Sequence, residues 1–145
     1  MESNLKKIGV IGIGTMGNGI AQVAAQSGFE TLVMDINDEV LERGMSNINR
    51  SLDRLVKAHA KSEGKKGITE DQKAEALGRL STTTAIADLV SCDAIVEAAP
   101  EIPELKEDIN RKLADAGYDK LLATNTSGIS VTRLAAAYGK PELYM

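Results

Sequence analysis

Aromatic residues are scarce in this chain. Its 145 residues include three Tyr, one Phe and no Trp, so the expected core is aliphatic, built from Ile, Leu, Val, Ala and Met. A single cysteine, Cys92, excludes an internal disulfide and a cysteine-rich metal site. It suits a reducing compartment and reads as a small apolar residue. A single histidine, His59, falls on the apolar stripe of a long predicted helix. It reads as a partly buried structural residue rather than a catalytic or metal-binding one. Positive charge is not in excess. The net charge of −4 argues against a nucleic-acid partner, which calls for a basic face. Long apolar runs are also missing. The polar start "MESNLKK" leads into a stretch broken by glycines, too short for a signal-peptide core or a bilayer span. No membrane partner follows, and the expected location is cytoplasmic, with a mature organellar protein as the alternative.

What is present is a concentration of glycine in "IGVIGIGTMGNGI". Glycine loses the most backbone freedom on folding, so its placement inside an apolar run calls for a reason. The run at 6–11 reads as a buried strand. Met16, Ile20, Val23 and Ala24 then keep helical spacing up to a Ser27-Gly28 stop. "ETLVMD" is a second strand. Strand, glycine turn, helix and strand in some thirty residues is the first half of a parallel α/β unit.

A long helix is expected over 37–59, with Leu41, Met45, Ile48, Leu52, Leu55 and His59 on one face. After the polar turn "KSEGKKG", "ITEDQKAEALGRL" reads as a helix returning antiparallel, with Thr69 as its N-cap. Together they form a helical hairpin inserted over about 37–79, too long for an ordinary crossover. The alternation then resumes. "STTTA" suggests an edge strand and 86–90 a short helix. "DAIVEA" is a buried strand, and a helix starts at Pro103. "KLLATN" is another strand, 130–138 another helix, and "ELYM" the beginning of a further strand. This order implies a doubly wound parallel sheet with helices on both faces.

The glycines contain G-x-G-x-x-G as Gly12, Gly14 and Gly17. In a dinucleotide fold the first makes the turn, the second lets backbone approach a pyrophosphate, and the third lets helix and sheet pack closely. The helix start at Thr15 and Met16 offers unpaired N–H groups to phosphate. Asp35 closes the second strand, where an acid accepts hydrogen bonds from an adenine-ribose 2′-OH and repels a 2′-phosphate. The cofactor expected is therefore NAD. "EAAPEIPELK" and "NTS" place polar groups at the carboxyl ends of later strands, as a ligand rim or as turn and cap chemistry. Arg43, Arg50, Arg54, Lys57 and Lys61 share the outer side of the long helix, as a solvated face or one for a phosphate-rich ligand.

"GVIGIGTMGNGIAQVAAQSGFETLVMDI", "AIVEAAPEIPELK" and "LATNTSGISVTRLAAA" together resemble the L-3-hydroxyacyl-CoA dehydrogenases, including the 3-hydroxybutyryl-CoA enzymes. The resemblance spans the whole chain and implies a Rossmann-like NAD-binding domain. It also implies hydride exchange between an L-3-hydroxyacyl-CoA and NAD, with acetoacetyl-CoA or 3-hydroxybutyryl-CoA as the expected substrate. Gly12, Gly14, Gly17 and Asp35 match the family's NAD loop and acid. Glu101 and Lys106 match its Glu and Lys on the cofactor side of the cleft. Ser127 matches the Ser that reaches substrate and nicotinamide, with Asn125 as its neighbour. Ser51 matches a coenzyme A contact. Lys57 stands one residue before a family Lys position, which Ala58 occupies here, and Gly128 replaces a second Ser. The family's general base, a His, would fall at about position 148, and its C-terminal helical domain makes the dimer. Both lie beyond Met145, so the expectation is a nucleotide-binding domain that is inactive by itself and prone to self-association. Two other readings share these residues: a related sugar-acid or β-hydroxy-acid dehydrogenase, and a non-enzymatic nucleotide-binding module.

Overall fold

The computed structural model describes residues 5–126 and 128–145. Five short strands form one fully parallel sheet in the order β3-β2-β1-β4-β5: β1 (Lys7–Ile11), β2 (Glu30–Met34), β3 (Leu80–Thr83), β4 (Ala94–Glu97) and β5 (Leu121–Thr124). A parallel sheet is covered on both faces, which is why its central strands read as continuous apolar runs. The helices are α1 (Thr15–Gln26), α2 (Asp38–Lys61), α3 (Glu70–Arg79), α4 (Pro103–Asp115) and α5 (Val131–Tyr138). The strand order reverses between β1 and β4, and ligands of such sheets bind at the carboxyl ends beside that switch.

The local signals that start the helices are visible as contacts. Asn37 Oδ1 accepts from the Val40 N–H at 2.9 Å to open α2. Thr69 and Gln72 form a reciprocal capping box on α3. Ser130 caps α5, and Gly139 ends it in the left-handed region at φ 81°. The helical hairpin is thus α2 and α3, joined by the Lys73–Asp53 ion pair. The segment 86–91 is a 3-10 turn rather than an α-helix. The expected strand in "ELYM" is confined to its end. Pro141–Leu143 is a 3-10 turn, after which Tyr144 pairs in parallel with Leu122 beside β5.

Two core layers result. Under α1, α2 and α3, Val10, Ile13, Ala21, Val33, Ile48 and Leu52 form the aliphatic core that the composition suggests. The other layer departs from that expectation. Tyr118, Tyr138 and Tyr144 are all buried there, among Leu89, Ile95, Leu113 and Leu122. Successive ring centroids lie 6.2 and 6.1 Å apart, and the Tyr118 and Tyr138 hydroxyls donate to the Leu121 and Lys120 carbonyls. An aromatic ring can fill a core when its hydroxyl finds a partner. Burial pushes the Tyr138 phenol up to about 12 and the Cys92 thiol above its ordinary value. No helix among the described residues is long and apolar enough to cross a membrane.

Asp93 ties the amino ends of β1 and β4 together. Its Oδ2 accepts from the Lys6 and Lys7 N–H groups, each at 2.9 Å. These bonds, with Lys120 nearby, hold its carboxyl below the ordinary value of 3.8. A carboxyl lowered on folding stabilises the fold above its unfolded pKa, and that contribution disappears as pH falls through the folded value. Asp93→Asn should therefore melt below the wild-type chain at about pH 6, with the gap closing toward about pH 3. Melting curves across that range check this, and a gap that stays constant with pH would rule out the assignment.

Candidate functional site

At the carboxyl end of β1 the chain turns under tight constraint. Gly12 has φ +93°, and a Cβ there would fall 2.7 Å from the Ala98 carbonyl oxygen. A Cβ on Gly17 would fall 1.6 Å from the Gly12 oxygen, so α1 rests on the turn through backbone alone. Gly14 differs, because nothing lies within 4 Å of its hypothetical Cβ. It is the N-cap of α1 and supplies no side-chain hydrogen bond, and the first turn holds no acid. The exposed N–H groups at Thr15 and Met16 thus begin a helix in open space, where backbone partial charge favours an anion. Gly19 does not serve close packing inside the helix, as small residues often do. Nothing approaches it either, and it faces a cleft.

Asp35 stands just past β2. Its Oδ2 accepts from the Ile13 N–H at 2.8 Å and its Oδ1 from the Ile36 N–H at 2.7 Å. Each carboxylate oxygen retains a lone pair for a further donor. Beside it lies a mostly apolar slot of ≈ 270 Å³, lined by Gly12, Asp35, Ile36, Ile86 and Leu105 among others. The open Gly14 face, the uncapped helix and the half-engaged acid suit a dinucleotide: phosphate at the loop, ribose at Asp35, and a flat base in the slot.

Glu101 and Asn125 are exposed on neighbouring rim loops after β4 and β5, and the Thr126 hydroxyl donates to Glu101 to join them. Lys106 is placed differently. It is fully buried, with Nζ 2.6 Å from Glu97 Oε2 and 3.3 Å from the Asn125 carbonyl oxygen. Ser127 lies outside the described residues. Ser51 and Lys57 fall elsewhere, in a cleft of ≈ 590 Å³ between α1 and α2, with Thr15, Asn47, Arg50 and Arg54. Arg43 pairs with Glu39, but Arg50, Arg54 and Lys57 make no ion pair among the described residues.

Two contributors escape motif reading. Gly44 lets α2 approach the loop so closely that a Cβ would sit 2.4 Å from Ile13, and its carbonyl accepts from Asn18 Nδ2. Glu97 is fully buried. Its one signal in the sequence is a carboxylate inside the apolar run "DAIVEA".

The sequence pattern of a known family, 3-hydroxyacyl-CoA dehydrogenase, NAD binding domain, matches residues 7–145. The chain belongs to this family. NAD is accordingly the cofactor implied for this domain. A 3-hydroxybutyryl-CoA dehydrogenase of Bradyrhizobium diazoefficiens is 42% identical over 146 residues, covering 100% of this chain and 47% of that protein. The 3-hydroxyadipyl-CoA dehydrogenase of Escherichia coli K12 is 39% identical, covering 98% of this chain and 29% of that protein. The solved (S)-3-hydroxybutyryl-CoA dehydrogenase of Ralstonia eutropha superposes with a TM-score of 0.87 at 37% identity, over 97% of this chain and 48% of that one. The chain thus spans about half the length of these Bradyrhizobium and Ralstonia 3-hydroxybutyryl-CoA dehydrogenases. The superposition also supports the Rossmann-like reading of the NAD-binding fold.

Two of the three loop glycines of this NAD-binding domain are separable by experiment. Gly17→Ala pushes a methyl group into the Gly12 carbonyl and should cost about 1–3 kcal/mol of stability. Gly14→Ala meets no atom in the free chain, so its melting temperature should match wild type while NADH affinity drops about tenfold or more. Fluorescence titration with NADH beside thermal melting tests the pair. Undiminished NADH binding by Gly14→Ala would place the phosphates elsewhere.

Proposed function

We propose that this chain supplies the NAD-binding half of an enzyme that interconverts L-3-hydroxyacyl-CoA and 3-ketoacyl-CoA thioesters. The observation that carries this reading is the joint placement of Asp35, the open Gly14 face and the rim loops of Glu101 and Asn125 at one edge of the sheet. When bound, NAD supplies the acceptor or donor of hydride. The residues here do the holding. The N–H groups of Gly14, Thr15 and Met16 bind the diphosphate, and Asp35 accepts from the ribose hydroxyls. Glu101 and Asn125, exposed on the rim loops, would border the nicotinamide and the reacting carbon, and Ser127 matches the family position that reaches both. Lys106 acts from beneath them, through the Asn125 carbonyl.

The α1–α2 cleft suits coenzyme A. Its unpaired Arg50, Arg54 and Lys57 offer three cations to phosphate, and Ser51 adds a hydroxyl. The acyl chain would then run from the hairpin toward the rim, past Thr15. In this reading residues 1–145 form the dinucleotide domain, α2 and α3 are its coenzyme A insertion, and a helical domain outside these residues makes a homodimer. The location is cytoplasmic, and acetoacetyl-CoA or 3-hydroxybutyryl-CoA is the substrate.

The only histidine is no substitute for a base at the rim. His59 lies near the far end of α2, about 30 Å along the helix axis from its start at the carboxyl edge. The 145 residues alone should therefore turn over acetoacetyl-CoA at least about 100-fold more slowly than a full-length relative, the usual contribution of a general base. Loss of NADH absorbance measures this, and comparable rates would refute the assignment of the base outside these residues. A titration with coenzyme A alone separates this reading from a sugar-acid dehydrogenase.

The 2′-OH contact has its own test. Asp35 also holds the Ile13 N–H, so Asp35→Ser should weaken NADH and NADPH binding alike through the loop. Only the ratio of the two affinities isolates the ribose contact. We expect the preference for NADH to fall about tenfold or more. An unchanged ratio would show that Asp35 does not read the ribose.

A further inference from the structure

The Glu97–Lys106 pair is the one ion pair with both side chains wholly buried among the described residues. A buried ion pair contributes little net stability, because desolvation offsets the attraction, and an apolar pair of similar volume often serves a core as well. Its hydrogen bonds show where it acts instead. Glu97 Oε2 accepts from Lys106 Nζ at 2.6 Å and from the Ala99 N–H at 2.8 Å. Glu97 Oε1 accepts from the Thr124 hydroxyl at 2.8 Å. Lys106 Nζ donates onward to the Asn125 carbonyl at 3.3 Å. Every partner lies at the carboxyl rim.

Through Ala99 the pair fixes Ala98, whose N–H donates to Ile11 at 2.7 Å and whose carbonyl oxygen walls the Gly12 turn. Through Thr124 and Asn125 it fixes the loop after β5, whose Asn125 N–H returns to the Glu97 carbonyl at 2.8 Å. One carboxylate thus connects the back of the glycine loop with the loop at the opposite side of the switch point. We propose that Glu97 is a positioning residue. Paired with Lys106, it locks these two rim loops in register for the dinucleotide while contributing nothing to the core that apolar side chains could not supply. The inference rests on the NAD reading for its ligand but not for its structural content.

The test compares the 145-residue chain with Glu97→Gln, Lys106→Met and the double variant Glu97→Leu/Lys106→Met. Each single change leaves a buried polar group without its partner and should lower the melting temperature. The double change should recover most of it. In the double variant, amide hydrogen exchange at Ala98, Ala99 and Asn125 should still run about tenfold or more faster than in wild type, with Val10, Val33 and Ile95 unchanged. NADH affinity should fall about tenfold or more in that same variant. Wild-type exchange at the three rim amides overturns the proposal, and so does wild-type NADH affinity in a folded double variant. A double variant that fails to fold, or that loses protection uniformly, also overturns it by making the pair a core requirement. A wild-type chain that binds no NADH counts against the cofactor reading, and the exchange data still decide whether the pair locks the rim.

Discussion

The approach of α1 to the turn after β1 is the constraint on which the other features depend. No side chain fits between the Gly12 oxygen and Gly17, or between Gly12 and the Ala98 oxygen. These backbone contacts set the helix start directly over the carboxyl edge of the sheet, at the switch between β1 and β4. A helix start of this kind, uncapped by any side chain, favours an anion without a cationic side chain in the loop. The Asp35 carboxylate tightens the same turn through Ile13 while facing the slot that suits the base. The residue expected to read the ribose is therefore also part of the loop's structure.

The second cleft depends on the first by a short chain of contacts. Gly44 allows α2 to lie against Ile13, and Asn18 bonds to the Gly44 carbonyl. Farther along, residues of both helices line the cleft that holds Ser51, Arg54 and Lys57. Among the described residues Arg54 and Lys57 make no ion pair, which leaves positive charge in the cleft of a chain whose net charge is −4. The field of such charge favours a phosphate-bearing ligand and weakens with salt.

Where the fold depends on local backbone chemistry, the sequence was readable. The tight turn at Gly12, the packing of the helix on that turn at Gly17 and the N-cap at Thr69 each act within a few residues of themselves. Their contacts appear where the pattern puts them, and the order of strands and helices follows from the same periodicities. What could not be read depends on distant chain segments. Lys106 looks like an exposed helical lysine until Glu97 and Asn125, nine residues before it and nineteen after it, close around it. The tyrosine layer draws on three separate segments whose rings meet only in the fold. Gly19 stands inside a helix, where a small residue usually signals packing, yet nothing lies within 4 Å of its hypothetical Cβ and it lines a cleft. The short 3-10 segments at 86–91 and 141–143 carry too few residues for a helical period to distinguish them from α-helix or strand.

This division between local and long-range features also describes how the rim is built. The loop after β1 carries its own glycine code, with Ala98 and Asp35 closing on it from the neighbouring strands. The loops after β4 and β5 have no comparable glycine code. They hold only a few outward polar groups, and their alignment with the glycine loop must come from beneath. A charged pair is suited to that task because its hydrogen bonds are directional, whereas apolar packing tolerates small shifts. An apolar core can hold β4 and β5 side by side. Fixing the Asn125 carbonyl relative to the Gly12 turn needs donors and acceptors aimed at both, and Glu97 with Lys106 provides them at the point where the strand order reverses.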